Sequence, residues 1–240
     1  FLKGILNKTD LIIANSDNTS KDICKVYPQN CHKVTRIYPG KTAIYKPENL
    51  PGVLEKYKIR APYFLFVGTI EPRKNLLILL EAFSIFKKQN KNDVLLVVVG
   101  GIGWKAEAFT EALNIHPFKE SILCTGFADA EDLPTLYSQA ISLIYPSLYE
   151  GFGLPVVEAM SCGTPVITGN NSSLPEAGGN AALYFDATDA DALAIHMETI
   201  FVDPTLRNKL SIRALEHVQK FDWDNFAKTA WNSFDVLKQN

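Results

Sequence analysis

Short, almost wholly apolar runs recur along the chain, separated by stretches whose apolar residues repeat at helical spacing. The runs are LIIAN (11–15), VTRIY (34–38), YFLFVG (63–68), DVLLVVVG (93–100), SILCTG (121–126), AISLIYPS (140–147), PVITG (165–169) and AALYF (181–185). A strand covered on both faces carries Val, Ile and Leu at nearly every position, whereas a strand with one wet face alternates. The pattern therefore predicts an α/β fold: a Rossmann-like, doubly wound parallel sheet with helices on both sides.

Between the second and third runs, PGKTAIYKPENLPGVLEKYKIRAP holds four prolines and two glycines from Pro39 to Pro62, which suits a linker between two α/β units. The expected division is 1–48, the last β-α-β portion of a first domain with its linker; 49–220, a complete second domain; and 221–240, a terminal helix. The chain opens at Phe1 without an initiator Met, and FLKGILNKTDLIIAN reads as the interior of a domain. At the other end, Trp223, Phe226, Ala230, Trp231, Phe234 and Leu237 share one helical face. Such a stripe ordinarily faces a core, yet here it could equally cover a second domain and form an exposed patch.

Composition removes several classes. Hydrophobic residues at 47% and charged ones at 21% exclude disorder and coiled coil. Lys+Arg 24 against Asp+Glu 26 gives a net charge of −2, with no bulk attraction for nucleic acid, so any cationic site is local. No apolar run is long enough to span a bilayer and no signal peptide opens the chain, which makes a cytoplasmic location the default. The four histidines are scattered, and no metal site is expected. The four cysteines (Cys24, Cys31, Cys124, Cys162) form no C-x-x-C pair and read as free thiols, two of them inside apolar runs.

Three strand-to-helix turns carry candidate chemistry. In YEGFGLPVVEAMSCG (149–163), Pro155 suits the first turn of a helix and Gly163 its end, while Gly151 and Gly153 permit the backbone angles of a tight turn. The turn opens at the carboxyl end of a parallel strand, where helix N–H groups attract phosphate. Glu150 and Glu158 flank it. A carboxylate repels phosphate, so these two suit hydroxyls on either side of one; the plainer roles are a turn cap for Glu150 and a helix-dipole partner for Glu158. In VGTIEPRKNLLILLEAF (67–83), Arg73 and Lys74 stand where a helix begins, a place unfavourable for cations unless an anion arrives. A diphosphate is the natural candidate, a solvated charge pair the bland one. In VVVGGIGWKA (97–106), Gly101, Gly103 and Ala106 match a dinucleotide-binding pattern, but the next strand ends in Thr125–Gly126 rather than an acid, which favours a tight turn or a close approach.

Taken in order, LIIANSDNTSKDI, RIYPG, VGTIEPRKNLLILLEAF, LLVVVGGIG, TGFADAEDLPTLYSQA, PSLYEGFGLPVVEAMSCGTPVI and SSLPEAGGNAALYF resemble the donor-binding, C-terminal half of retaining GT-B glycosyltransferases of family 4, with their Glu-x7-Glu motif. The resemblance runs from about Asp10 to the C-terminus. It implies a UDP- or GDP-sugar as donor and a saccharide or lipid-linked acceptor. Glu150 would meet hydroxyls of the donor sugar, backbone N–H groups of Phe152, Gly153 and Leu154 would face sugar and phosphate beside Gly151, and Glu158 would hold the ribose. Lys74 matches the family's diphosphate lysine. Gly68 and Thr69 would line the same site, Thr69 standing where the family commonly has an arginine that Arg73 would replace. The base would lie near Gly126 and Phe127. Glu150, Lys74 and Arg73 are the expected catalytic groups, with no cofactor and no metal.

The resemblance further implies that most of an N-terminal, acceptor-binding domain is missing, that the terminal helix crosses back toward it, and that the protein works in the cytoplasm or at the cytoplasmic face of a membrane. Three other readings stay open: a nucleotide-sugar epimerase or phosphorylase on the same architecture, an NAD-binding module using GGIGWKA, and a sugar-binding or scaffolding domain.

Overall fold

The computed structural model describes residues 2–89 and 93–237. Each of the apolar runs contains a strand: β1 (Ile12–Ala14), β2 (Val34–Arg36), β3 (Tyr63–Val67), β4 (Leu95–Val99), β5 (Ile122–Gly126), β6 (Ser142–Tyr145), β7 (Val166–Gly169) and β8 (Ala182–Phe185). The helices are α1 (Leu2–Lys8), α2 (Asp17–Val26), α3 (Val53–Lys56), α4 (Leu76–Gln89), α5 (Glu107–Asn114) and α6 (Leu133–Ser138). They continue with α7 (Leu154–Ser161), α8 (Leu174–Gly178), α9 (Ala190–Val202), α10 (Pro204–His217) and α11 (Trp223–Leu237).

β1 and β2 form a parallel pair of their own, and the other six strands make one parallel sheet in the order β5-β4-β3-β6-β7-β8. The chain winds outward from β3 to β5, then returns to lay β6 on the other side of β3, with Phe64 opposite Ser142 and Leu65 opposite Leu143. The order therefore reverses between β3 and β6, and ligands of open α/β sheets bind outside the carboxyl ends of the strands at such a point. Right-handed crossovers put the helices on both faces. α4 packs against α5 and α9, and α7 against α6, α8 and α10.

Burial of both faces explains why these strands do not alternate. Phe64, Leu65, Phe66, Leu96, Leu143 and Ile144 are all fully buried. Under α4 the rings of Phe64, Phe83 and Phe201 gather round Phe86 at centroid distances of 5.3, 6.2 and 5.6 Å.

Two expectations are corrected here. Cys24 and Cys31 are not free thiols: they form a disulfide, their Cα atoms 4.7 Å apart. α2 stops at Val26 and a 3-10 turn at Pro28–Lys33 doubles the chain back, which brings Cys31 against Cys24 although their spacing matches no C-x-x-C motif. Cys124 and Cys162 are free, as expected. The aromatic stripe of α11 is not a core face: Trp223, Trp231 and Phe234 are 49%, 64% and 48% exposed. The exposed patch is the alternative that fits. The side chain of Leu237 and residues 238–240 lie outside the described residues.

Candidate active site

The site is assembled by two loops that leave the sheet side by side, one after β3 and one after β6. Gly68 follows β3, and the chain runs through Thr69 to a single 3-10 turn at Pro72–Lys74, so Arg73 and Lys74 precede α4 rather than open it. Asn75 then adopts a left-handed conformation, φ 58°, which asparagine tolerates better than most residues. Its amide holds the position by donating to the carbonyls of Pro146 (3.2 Å) and Ala187 (2.7 Å). That anchor ties the β3 loop to the loop after β6.

The second loop reverses at Gly153, where φ of 102° requires a glycine, and enters α7 with Pro155 in its first turn. Gly151 has a different purpose from the one expected. Its φ is ordinary, but an added Cβ would lie 3.1 Å from Asn15 Nδ2, so the absence of a side chain lets the segment before α2 approach. The Phe152 ring turns inward, 5.5 Å from Tyr38 and 5.2 Å from Phe221, which leaves only its backbone on the site.

Between the loops, Lys74 and Glu150 are both buried and paired. Lys74 Nζ donates to Glu150 Oε1 at 2.6 Å and also to the Tyr145 hydroxyl, which itself lies 3.0 Å from Glu150 Oε1. Arg73 reaches the same oxygen at 2.8 Å, the Tyr149 carbonyl at 2.8 Å and Glu71 Oε1 at 2.6 Å. Glu71 Oε2 in turn accepts from the Trp104 indole at 3.0 Å. Burial alone would raise the Glu150 carboxyl, but the Lys74 hydrogen bond and charge, with Arg73 behind them, hold it below its ordinary value. Burial and the adjacent Glu150 charge push the Tyr145 phenol well up, so it stays a neutral donor.

A pH dependence follows from the Glu150 environment. A carboxyl depressed in the folded state contributes stability that is present above its unfolded pKa and is lost as pH falls through the folded one. Denaturant midpoints of the protein and of Glu150→Gln are therefore expected to converge as pH is lowered from about 7 to about 3. A gap that stayed constant over that range would mean that Glu150 is not held as a carboxylate by these cations.

Glu158 lies apart from this cluster. It sits on the face of α7 toward α6, where the buried Tyr137 hydroxyl donates to its Oε2 at 2.9 Å with Tyr45 of the linker alongside. Burial raises its carboxyl, and the two tyrosine hydroxyls oppose this only in part. Gly126, with φ 72° and open space around it, and the exposed Phe127 end β5, two strands or roughly 10 Å from β3. Leu154 is half-exposed at the start of α7.

The glycines after β4 serve packing. A Cβ on Gly101 would fall 2.4 Å from the Phe127 ring and one on Gly103 2.6 Å from Thr69 Cγ2, while Ile70 exchanges backbone hydrogen bonds with both glycines. α5 begins only at Glu107, with an acidic residue in its first turn. That arrangement fits a close approach of two loops better than a dinucleotide cradle.

Residues that the sequence did not single out complete the site. Tyr145 was legible as a hydroxyl at the carboxyl end of the strand SLIY, directly before the loop that carries Glu150. Ser172 and Ser173 had no such signal: Ser172 Oγ accepts from Glu150 N–H at 3.0 Å, and the Ser173 hydroxyl donates to the Glu150 carbonyl at 2.8 Å. Ser172 does this from a left-handed conformation, φ 50°, a strained state that tight surroundings must sustain.

Comparison with known proteins identifies the family and the fold. Residues 55–217 match the model of the family described as glycosyl transferases group 1. The chain is 34% identical over 237 residues to the O-antigen chain mannosyltransferase B of Escherichia coli, a match that covers 97% of this chain and 62% of that protein. It is 30% identical over 200 residues to the serotype-specific mannosyltransferase WbdA of the same species, covering 82% of this chain and 24% of that one. The chain thus spans less than two thirds of the length of either relative. Among solved structures, sucrose-phosphate synthase from Thermosynechococcus elongatus superposes with a TM-score of 0.85 at 25% identity, covering 99% of this chain and 61% of that one. Anabaena HepE in complex with UDP-glucose shares the fold, with a TM-score of 0.81 at 19% identity over 100% of this chain and 69% of that one. The chain belongs to the glycosyl transferases group 1 family and has the GT-B type of α/β fold.

Proposed function

We propose that the chain is the donor-binding part of a retaining family 4 enzyme that moves a hexosyl group, mannosyl in the first instance, from a GDP- or UDP-sugar to a saccharide or lipid-linked acceptor in polysaccharide assembly. One observation carries this reading: Lys74 and Arg73 from the β3 loop pair with Glu150, on the loop that leads into α7, at the point where the strand order reverses. A cation pair on one loop and a helix N-terminus following the other suit a diphosphate. The relatives' names favour mannose, and a nucleotide sugar is bound by HepE.

In the proposed reaction the bond between the anomeric carbon and the diphosphate oxygen breaks with its electron pair staying on that oxygen, the acceptor hydroxyl oxygen bonds to the anomeric carbon on the same face, and the hydroxyl proton passes to the departing diphosphate. Negative charge grows on the departing diphosphate. Lys74, Arg73 and the first amides of α7 would stabilise it. Glu150 pairs with both cations, and with donor bound its carboxylate would accept from sugar hydroxyls while the phosphates take over the cations. Gly126 and Phe127 would face the base and Glu158 the ribose, with Gly68 and Thr69 beneath the diphosphate. Residues 1–48 and 221–240 would belong with the acceptor-binding domain of the whole enzyme.

A thermal-shift and calorimetric panel of GDP- and UDP-sugars with NAD tests the reading. At 100 Kd the true donor is expected to raise stability by ~2.7 kcal/mol. Tight NAD binding with no response to nucleotide sugars would overturn it, and a donor sugar altered in the absence of any acceptor would point to an epimerase.

A further inference from the structure

The Glu150 loop is gripped from two sides. Ser172 and Ser173 hold the Glu150 backbone from the α8 side. From the α2 side, the Thr19 hydroxyl donates to the Gly151 carbonyl at 3.2 Å, and Asp22 accepts from the Tyr149 hydroxyl at 2.6 Å. The two grips are joined by one side chain. Glu176, at the start of α8, accepts from the backbone N–H of Asp17 at 2.6 Å and of Asn18 at 2.8 Å, the first amides of α2.

Those amides have no partner inside their own helix, and the positive end of the helix dipole strengthens a carboxylate placed there. α9 and α10 show what a helix needs locally: their N-caps Asp189 and Asp203 bond to their own third amides. α2 has such a cap too, since Ser16 Oγ accepts from Thr19 N–H at 2.9 Å. Glu176 comes in addition, from 159 residues away in the chain. A remote carboxylate on an already capped helix acts as a tie between elements. It closes a ring that runs from Glu150 through Ser173 and Glu176 to α2, and back through Thr19 to Gly151.

We propose that Glu176 is a positioning residue for the nucleotide-sugar site, acting through α2 to fix the loop that carries Glu150. The inference rests on the donor reading above and adds a residue well outside the cation cluster. Loss of the tie frees the loop, so ordering it is charged against donor binding.

Calorimetric titration of this chain with GDP-mannose and UDP-glucose tests it, using the protein itself, Glu176→Ala, Thr19→Val and the double variant. Glu176→Ala is expected to raise Kd about tenfold at unchanged stoichiometry. The double variant is expected to bind no more weakly than Glu176→Ala alone, because both substitutions open the same ring. A purely structural role would lower the stoichiometry, through loss of folded protein, and leave Kd unchanged; that result overturns the proposal. An unchanged Kd with unchanged stoichiometry, or effects of the two substitutions that multiply, overturns it as well. Should Glu176→Ala fail to fold, the same cycle with Glu176→Gln, which keeps the size and removes the charge, decides by the same criteria. Failure of the unsubstituted chain to bind either nucleotide sugar would instead sink the donor reading itself, and it is seen before any variant is made.

Discussion

Replacing Lys74 by alanine is expected to lower kcat for sugar transfer by about 10²–10³, a loss of ~2.7–4 kcal/mol in transition-state stabilisation. Lys74 is only 7% exposed, and its ammonium is held by Glu150 and Tyr145. Arg73 is a poor substitute, because its guanidinium is shared among Glu71, Glu150 and the Tyr149 carbonyl and is 39% exposed at the side chain. The same substitution strands a buried carboxylate, and breaking a buried pair from one side costs ~3–5 kcal/mol of stability, offset here by the partners that Glu150 keeps. Initial rates of the whole enzyme at saturating donor, with a thermal melt to establish the folded fraction, separate the two effects. A kcat within tenfold of the parent, corrected for folded fraction, would remove Lys74 from the catalytic groups.

Phe86→Ala is expected to destabilise the fold by ~3–5 kcal/mol while leaving donor affinity unchanged. The Phe86 ring is fully buried among Phe64, Phe83 and Phe201, so its removal opens a cavity bounded by other rigid rings that cannot collapse into it. From the start of α4 to Phe86 the helix rises about 15 Å, which separates the cavity from the cation pair at the other end. Urea titration should show a lower midpoint with an unchanged slope. A cost below about 1 kcal/mol would mean that the rings repack, and that this part of the core is less specific than it looks.

The fold was legible because burial on both faces imposes one requirement at every strand position, and the runs that hold the central strands β3, β4, β6 and β7 meet it. The cation pair and Glu150 were legible for the opposite reason: a charge set in an apolar neighbourhood demands a partner or a ligand. What escaped was whatever depends on contacts distant in sequence. Ser172, Ser173 and Glu176 lie in SSLPEAGGNAALYF, but no residue there shows its role, because the partners are backbone groups that every residue possesses. The Cys24–Cys31 pair was hidden because its spacing reflects a helix end and a turn back rather than a motif. The α11 stripe was left between a core face and an exposed patch because periodicity reports that a face is apolar and not what lies against it.

The reversal of strand order between β3 and β6 also bears on how the protein is made. β3, β4 and β5 are consecutive and pair with their sequence neighbours, whereas Lys74 and Glu150 are 76 residues apart in the chain. Contacts of such separation form late, after loop-closure entropy has been met. A nascent chain on the ribosome can thus build one wing of the sheet while Lys74 still lacks its carboxylate. The Lys74–Glu150 pair closes only when β6 docks, so the centre of the finished sheet is among the last parts of it to assemble.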